Sequence, residues 1–192
     1  MRGDTLVIFA RAPRLGAVKR RLAKGIGARA ALRFYVGQLA AVLRATARDR
    51  RWRTVLAVTP DRAPARWPMA VPRVAQGRGD LGQRMLHAMR PHRRCVLVGS
   101  DIPGVAASDI AAAFRALGRA DAVFGPARDG GYWLVGLGPR RPATPFAAVR
   151  WSTRHALADT EANFAGRRLA RVRTLRDVDT AADLVALRKR NP

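Results

Sequence analysis

Three aspartates that lie far apart in the chain have the residue type and the setting that a divalent cation requires. Asp101 stands in the motif GSDIPG, directly after the apolar run CVLVG, and Asp177 and Asp179 stand in DVDT, before the last predicted helix. Magnesium prefers one or two carboxylates together with phosphate oxygens and water. The sequence therefore predicts a Mg²⁺ (or Mn²⁺) site built from Asp101 with Asp177 or Asp179. Capping of a turn or helix by the same residues is the alternative interpretation.

A basic loop, RAPRLGAVKRRL, follows the first apolar run and precedes a helical segment. Arg11 opens this loop, Gly16 gives it an unhindered backbone, and Lys19 and Arg21 stand close to the helix. Basic side chains and backbone amides at a strand-to-helix connection form a natural phosphate site. The GxxxxGK[ST] spacing of a P-loop is absent, so a flexible basic loop is the alternative.

A third candidate segment is GPARDGGYW. Asp129 and Tyr132 flank the paired glycines Gly130 and Gly131, which places a hydrogen-bond acceptor and an aromatic ring beside a backbone that a ligand can approach closely. The same DGG sequence is also typical of a hairpin turn.

Several other chemistries are excluded by spacing. Ser100 follows an apolar run, but Val98 and Ile102 stand where the GxSxG motif of a serine hydrolase needs glycine. Cys95 is the only cysteine, so the chain has neither a disulfide framework nor a thiolate metal site. The histidines lack the spacing of zinc ligands; they are His87, His92 and His155.

The segments around these residues alternate between strand-like and helix-like patterns. Continuous apolar runs predict strands covered on both faces at 5–10, 54–58, 95–99, 121–125 and 132–137. Amphipathic stretches predict helices at 28–48 and at 80–89, the second with Asp80 as its cap. Further helices are predicted to 117 with Ser108 as the candidate cap, to 164 with Thr153 as the candidate cap, and after a capping box of Thr180 and Asp183. This alternation is typical of an α/β domain with a mostly parallel sheet. Ligands of such sheets bind at the carboxyl ends of the strands, so we expect the functional loops to be those after the first strand, after CVLVG and after DAVFG.

Length and composition favour one globular domain over residues 1–192. The 192 residues are 48% hydrophobic, which is enough for a sizeable core. No apolar run approaches the ~18 residues that cross a bilayer. The first apolar patch, TLVIFA, is too short for a signal sequence. We therefore expect a cytoplasmic protein with no membrane partner.

The net charge of +24 arises from 37 lysine and arginine residues against 13 aspartate and glutamate residues. Such a charge ordinarily favours a nucleic-acid partner. Here the basic residues are spread along the whole chain, and no segment interleaves them with aromatic residues as a stacking platform would. Nucleic-acid binding is thus the less favoured alternative, and a positive field suits a polyanionic small substrate such as a nucleoside triphosphate equally well.

Taken in order, the motifs VKRRLA, QGRGDLGQRM, GSDIPG, GPARDGGYWLVGL, WST and DVDTAADL resemble an uncharacterised family of glycosyltransferase-A-fold proteins, often assigned as arsenosugar-biosynthesis glycosyltransferases. The resemblance runs from about Leu6 to Leu187. More distantly, the chain is similar to 2-phospho-lactate guanylyltransferase and molybdenum-cofactor guanylyltransferase, of the nucleotide-diphospho-sugar transferase superfamily. This resemblance implies a three-layer α/β/α sandwich with a Rossmann-like sheet that binds a nucleotide and a divalent metal.

The resemblance also implies roles for the candidate residues. Lys19 and Arg21 would hold phosphates, and Asp101 would bind the metal with Asp177 or Asp179. The acceptor side would include Gly130, Gly131 and Tyr132. Further candidates for nucleotide or substrate binding are Arg11, Gly16, Asp129, Trp151, Ser152 and Thr153.

Two transfer reactions are compatible with these residues. Glycosyltransferases of this fold hold their metal with a DxD motif, whereas this chain has SDIP, with a single carboxylate. We therefore slightly favour nucleotidyl transfer from a nucleoside triphosphate to a phosphorylated or carboxylate acceptor, with release of pyrophosphate. The alternative is glycosyl transfer from a nucleotide sugar. An acceptor that is already ionised needs no general base, in agreement with the lack of a suitably placed histidine.

Overall fold

A seven-stranded sheet organises the protein in a computed structural model that describes residues 3–62 and 64–189. The strands are β1 (Thr5–Arg11), β2 (Arg53–Thr59), β3 (Arg73–Ala75), β4 (Cys95–Gly99), β5 (Ala122–Pro126), β6 (Tyr132–Leu137) and β7 (Leu169–Arg171). All five predicted strands are present, with bounds that differ by at most one residue. The two strands that the prediction lacks, β3 and β7, are three-residue segments that are mostly exposed, so neither carries an apolar run.

The sheet is mostly parallel, as predicted, with the order β3-β2-β1-β4-β6-β5-β7. Only β6 among the described strands runs in the opposite direction, between β4 and β5. Its register pairs Leu134 with Val98, so β6 begins at the sheet edge where β4 ends. This edge, called the carboxyl edge below, therefore carries the ends of β1, β4 and β5 together with the start of β6.

In the described part of the chain, six helices flank the sheet: α1 (Arg20–Ile26), α2 (Ala28–Thr46), α3 (Leu81–Met89), α4 (Ala107–Ala116), α5 (Ala156–Ala162) and α6 (Ala181–Arg188). The capping predictions are confirmed for α3, where Asp80 pairs with Gln83, and for α6, where Thr180 pairs with Asp183. Within the described ranges, no helix is long and apolar enough to cross a membrane.

Two predicted helix starts are wrong. Ser108 lies inside the first turn of α4, because the Asp109 carboxylate reaches back to the backbone N–H of Ala106 at 2.8 Å and fixes the start there. Thr153 lies in a turn before α5 and uses its hydroxyl to accept from the backbone N–H of His155.

The core is divided between the two faces of the sheet, as the alternation of side chains along a strand requires. Leu6 and Ile8 of β1 face one side and pack with α2 and α4, whereas Val7 faces the other side and packs with α3. Each such leucine or isoleucine contributes about 1.5–3 kcal/mol by burial. The predicted three-layer α/β/α sandwich is confirmed. A smaller cluster joins α1 to α6 through Leu22 and Leu184, which brings together two helices that are distant in the sequence.

Candidate active site

Lys19 connects two of the predicted metal ligands at the carboxyl edge. Its Nζ lies 2.8 Å from Oδ2 of Asp101 and 2.9 Å from Oδ1 of Asp179, a residue 160 positions away in the chain. The Lys19 side chain is 6% exposed, whereas the two carboxylates are 29% and 38% exposed. Arg21 contacts the second oxygen of Asp179 at 3.2 Å. The structure thus brings the predicted phosphate-binding residues into contact with two of the predicted metal ligands.

The backbone of Lys19 has an uncommon conformation. With φ 46° and ψ 48°, it lies in the left-handed helical region, which costs a residue with a side chain roughly 1–3 kcal/mol. The residue immediately precedes α1, and its carbonyl accepts the N–H of Ala23. This geometry turns the side chain toward the two carboxylates, whose charges stabilise the conformation.

The electrostatics keep Lys19 charged. Burial alone lowers the pKa of this ammonium group, but the charges and hydrogen bonds of Asp101 and Asp179 outweigh it, so the pKa is raised. Lys19 is therefore a fixed positive charge between the side chains of Asp101 and Asp179.

A buried hydrogen-bond network holds the ends of β1 and β4 together. The Tyr35 hydroxyl on α2 donates to the carbonyl of Arg11 and accepts from its N–H, both at 2.9 Å. It also lies 3.0 Å from Oγ of Ser100, which must be the donor because the single hydroxyl proton of Tyr35 is already used. Burial raises the pKa of Tyr35 to about 12, so the network stays intact at neutral pH. Ser100 thus acts as a structural residue that positions its neighbour Asp101.

An aromatic pocket of about 290 Å³ opens beside this charged cluster. Its apolar part comes from strands β1 and β6, helix α3 and the segment before α5, and includes Phe9, Leu81, Met85, Tyr132 and Trp151. Three carboxylates also line it: Asp101, Asp129 and Asp177. None of the described residues that line this pocket is basic.

The DGG turn forms one wall of the aromatic pocket. It connects the antiparallel strands β5 and β6, so the hairpin interpretation is confirmed, and the same turn places Asp129 and Gly131 in the lining. Gly130 has φ +87°, and a Cβ atom there would lie 2.2 Å from the backbone oxygen of Arg154. Only glycine fits this position, because the turn packs directly on the segment that carries Trp151.

The WST segment forms the adjoining part of the lining. Ser152 has a positive φ of 61°, and the Thr153 hydroxyl donates to the carbonyl of Arg150 at 2.7 Å. This turn holds the ring of Trp151 edge-on to Tyr132, with ring centroids 6.4 Å apart. All three residues of the segment line the pocket.

Asp177 and Asp179 both line the depression described next, but their other contacts differ. Asp177 lines the aromatic pocket, whereas Asp179 binds Lys19 and Arg21. Burial raises the pKa of Asp177, and the negative charges of Asp129 and Asp179 raise it further. Helix α6 is capped by Thr180, which leaves both carboxylates available to the site.

A second depression, called the arginine depression below, adjoins the pocket. It has a volume of about 370 Å³ and shares Asp129 and Asp177 with the aromatic pocket. Its lining also contains Asp179 and Asp183, so four carboxylates face three arginines: Arg21, Arg128 and Arg176. Arg21 and Arg176 pair with Asp179 and Asp183, whereas Arg128 has no ion pair with any carboxylate in the described part of the chain.

Two sequence candidates lie apart from the pocket. The Arg11 side chain and Gly16 are exposed in the loop after β1, and neither lines the aromatic pocket. Conversely, the sequence analysis missed the apolar lining of Phe9, Leu81 and Met85, which have the pattern of ordinary core residues. It also missed Arg128 and Arg176, which are two arginines among many.

The Asp101–Asp179 pair fits a divalent cation that arrives with a nucleotide. The two carboxylates already surround one positive charge, the Lys19 ammonium group. In residues 3–62 and 64–189, no group of three or more His, Cys, Asp or Glu side chains is arranged to hold a metal ion. Magnesium nevertheless needs only one or two carboxylates when phosphate oxygens and water complete its coordination.

Comparison with known proteins places this fold in a superfamily. The chain is 28% identical to a Desulfovibrio desulfuricans G20 protein whose name assigns it to the nucleotide-diphospho-sugar transferases; the match covers 100% of this chain and 88% of that one, with a TM-score of 0.88. The fold is shared with 4-diphosphocytidyl-2C-methyl-D-erythritol synthase of Anaerococcus prevotii (12% identity, 96% of each chain, TM-score 0.59). It is also shared with glucosyl-3-phosphoglycerate synthase of Mycobacterium tuberculosis (10% identity, 98% of this chain and 75% of that one, TM-score 0.58).

The family is identified by sequence. Residues 42–153, more than half of the chain, match DUF2064, a family of uncharacterized proteins conserved in bacteria, and the protein belongs to this family. No curated protein matches the sequence. Family and structural neighbours together agree with the predicted nucleotide-diphospho-sugar transferase superfamily.

Proposed function

We propose that the protein is a divalent-metal-dependent transferase that takes a nucleoside triphosphate as donor, transfers its nucleotidyl group to a small acceptor and releases pyrophosphate. The observation that carries this proposal is the contact of Lys19 with both Asp101 and Asp179 at the carboxyl edge, beside the arginine depression. The transferase class itself is supported by the structural neighbours, whose names are those of nucleotidyl and glycosyl transferases.

The proposed chemistry requires charge neutralisation and positioning. An acceptor atom forms a bond to the α-phosphorus, the bond from this phosphorus to the bridging oxygen breaks, and pyrophosphate leaves with the electron pair. Arg21, Arg128 and Arg176 provide positive charge for the β- and γ-phosphates, and Lys19 holds the two carboxylates in place. A bound Mg²⁺ or Mn²⁺ would be held by Asp101 with Asp179 or Asp177 and would neutralise developing negative charge on the phosphates.

The neighbour structures support a divalent metal and a nucleotide ligand, but they do not distinguish nucleotidyl transfer from glycosyl transfer. The glucosyl-3-phosphoglycerate synthase structure contains Mn²⁺, UDP and phosphoglyceric acid, and a CMP:2-keto-3-deoxy-manno-octonic acid synthetase of this fold contains CTP. Glycosyl transfer from a nucleotide sugar is therefore the second outcome that an experiment must distinguish. The predicted single domain over residues 1–192 and the cytoplasmic location stay predictions; residues 1–2, 63 and 190–192 lie outside the described ones.

A thermal-shift panel tests the proposal. Nucleoside triphosphates and nucleotide sugars are added with and without Mg²⁺ or Mn²⁺, because a ligand at 100 times its Kd stabilises the folded state by about 2.7 kcal/mol. We expect a metal-dependent shift with a triphosphate, and pyrophosphate release once an acceptor is supplied. A shift selective for nucleotide sugars would favour glycosyl transfer. Nucleic-acid binding whose affinity falls steeply with salt and does not depend on metal would overturn both transfer reactions.

The Asp101→Asn variant tests the metal ligand. We expect it to fold and to lose the metal-dependent part of the nucleotide shift. The matched control is Asp49→Asn, which removes a carboxylate paired with Arg51 just before β2, away from the carboxyl edge. An unchanged metal-dependent shift in Asp101→Asn would remove this residue from the site.

A further inference from the structure

The aromatic pocket has the opposite charge to the protein as a whole. The chain has a net charge of +24, yet three of its twelve aspartates line this one pocket, and no basic side chain of the described residues does so. Arginines are present nearby, but they line the arginine depression on the other side of Asp129 and Asp177. Among the described residues, guanidinium groups that can contact phosphates therefore lie on one side of Asp129 and Asp177, and none lies on the side of the aromatic pocket.

We propose that the aromatic pocket binds an uncharged or cationic acceptor that presents hydroxyl or amino groups on a partly apolar skeleton. This inference rests on the proposed function, in which the neighbouring arginine depression receives the phosphates of the donor. It replaces the phosphorylated or carboxylate acceptor expected from the sequence, because Asp129 and Asp177 line this pocket with no basic residue to balance them, even when Asp101 holds the metal with Asp179.

The chemistry of the lining selects this class of ligand. Ionised carboxylates only accept hydrogen bonds, so a ligand that satisfies them must supply O–H or N–H donors. The rings of Tyr132 and Trp151 offer apolar surface for a hydrocarbon face and attract a cation through their π-systems. A like charge among these carboxylates is disfavoured, which excludes anions by repulsion. The volume of about 290 Å³ lies at the small end of ligand pockets and suits a molecule of monosaccharide size.

A neutral acceptor also changes the proton balance of the transfer. Its hydroxyl oxygen or amino nitrogen would form the bond to the α-phosphorus, pyrophosphate would leave, and the acceptor's proton would pass to solvent water. The products are a nucleotidylated acceptor, pyrophosphate and one proton.

Ligand-observed NMR without nucleotide tests the pocket directly. The probes are two sets matched in skeleton and different in charge: tyramine, tyrosol and 4-hydroxyphenylacetate, and glucosamine, glucose and glucose 6-phosphate. We expect saturation-transfer signals from cationic and neutral members that are lost in Trp151→Ala. The matched control is Trp67→Ala, which removes another partly buried tryptophan that does not line the pocket and lies beside Arg73. Two results would overturn the proposal. One is a signal from the anionic members that is lost in Trp151→Ala, and the other is that no member of either set gives a signal that depends on Trp151.

A more conservative substitution than Trp151→Ala tests the same pocket with less risk of unfolding the protein. Asp129 is exposed on its turn, and asparagine can still accept the hydrogen bond that Asp129 accepts from the N–H of Gly131. We expect Asp129→Asn to weaken binding of the cationic probes about fivefold and to change binding of the neutral ones by less than about twofold. An equal loss for all probes would contradict a charge-selective pocket. Because nucleotide binding is measured separately, a failed donor assay would overturn the proposed function and leave this test intact.

Discussion

The aromatic pocket and the arginine depression adjoin each other at the carboxyl edge, yet they differ in almost every chemical respect. One is lined by rings and three carboxylates with no basic residue, and the other by three arginines and four carboxylates, of which Asp129 and Asp177 belong to both. In a chain of +24 charge, arginines in a depression need no special explanation, whereas a pocket whose charged lining residues are all aspartates does. The comparison indicates that the positions of the aspartates distinguish this site, whereas arginines are abundant throughout the chain.

The largest effect is expected at Lys19, which joins Asp101 and Asp179 next to both regions. Lys19→Met removes the charge that balances these carboxylates and should lower the rate of transfer by about 10²–10³-fold. The rate of pyrophosphate release measures this, with Lys24→Met, an exposed lysine of α1, as the control. Activity within a few-fold of the unmodified protein would show that the cluster is structural only.

The wall of the aromatic pocket should be sensitive to a single methyl group. Gly130→Ala combines a positive φ with a Cβ placed 2.2 Å from a backbone atom, so we expect a loss of about 2–4 kcal/mol in the free energy of unfolding. Gly16→Ala has a similar φ of +73° but open space around the new Cβ, and should cost about 1 kcal/mol. Urea unfolding of both variants provides the measurement. Equal losses would mean that the close packing on Arg154 is unimportant.

Substitutions in the aromatic pocket and in the arginine depression should affect the binding of different ligands. Arg128→Ala removes a guanidinium group without a carboxylate partner in the described chain and should weaken nucleotide binding about tenfold. Trp151→Ala should leave the Kd of the nucleotide nearly unchanged and abolish binding in the aromatic pocket. Calorimetric titration with a triphosphate and Mg²⁺ distinguishes them, and a reversed pattern would exchange the roles of the two regions.

The smallest effect concerns pH. Burial raises the pKa of Asp177 above its value in the unfolded chain, so ionisation of this carboxyl group destabilises the folded state. The destabilisation is complete at pH values above the folded-state pKa and absent at pH values below the unfolded-state pKa. Asp177→Asn should therefore raise the melting temperature slightly at pH 7, and this gain should disappear by about pH 3. A variant that is less stable at pH 7 would show that the carboxylate has a stabilising partner.

The strands could be predicted because they are covered on both faces and therefore read as continuous apolar runs. The edge strand β3 could not, since Arg73 to Ala75 is exposed and its pairing with β2 depends on tertiary structure. The start of α4 was misplaced because the chain offers Ser108 as a cap, whereas the Asp109 side chain bonds backward to Ala106.

The polar residues of the candidate site could be located by motif, but their contacts could not. Nothing local indicates that Lys19 touches a carboxylate 160 residues away, because this contact follows from the packing of α1 against α6. Phe9 and Met85 have the pattern of core residues, and only the arrangement of turns around them leaves a pocket beside them. The division of charge between the two regions was for the same reason invisible in the sequence.

The most direct test of the central claim is a crystal structure with Mn²⁺ and a non-hydrolysable nucleoside triphosphate, in which anomalous scattering locates the metal. We expect a manganese peak in contact with Asp101 and with Asp179 or Asp177, and β- and γ-phosphates in the arginine depression. Manganese bound elsewhere, or phosphates in the aromatic pocket, would contradict the proposed function.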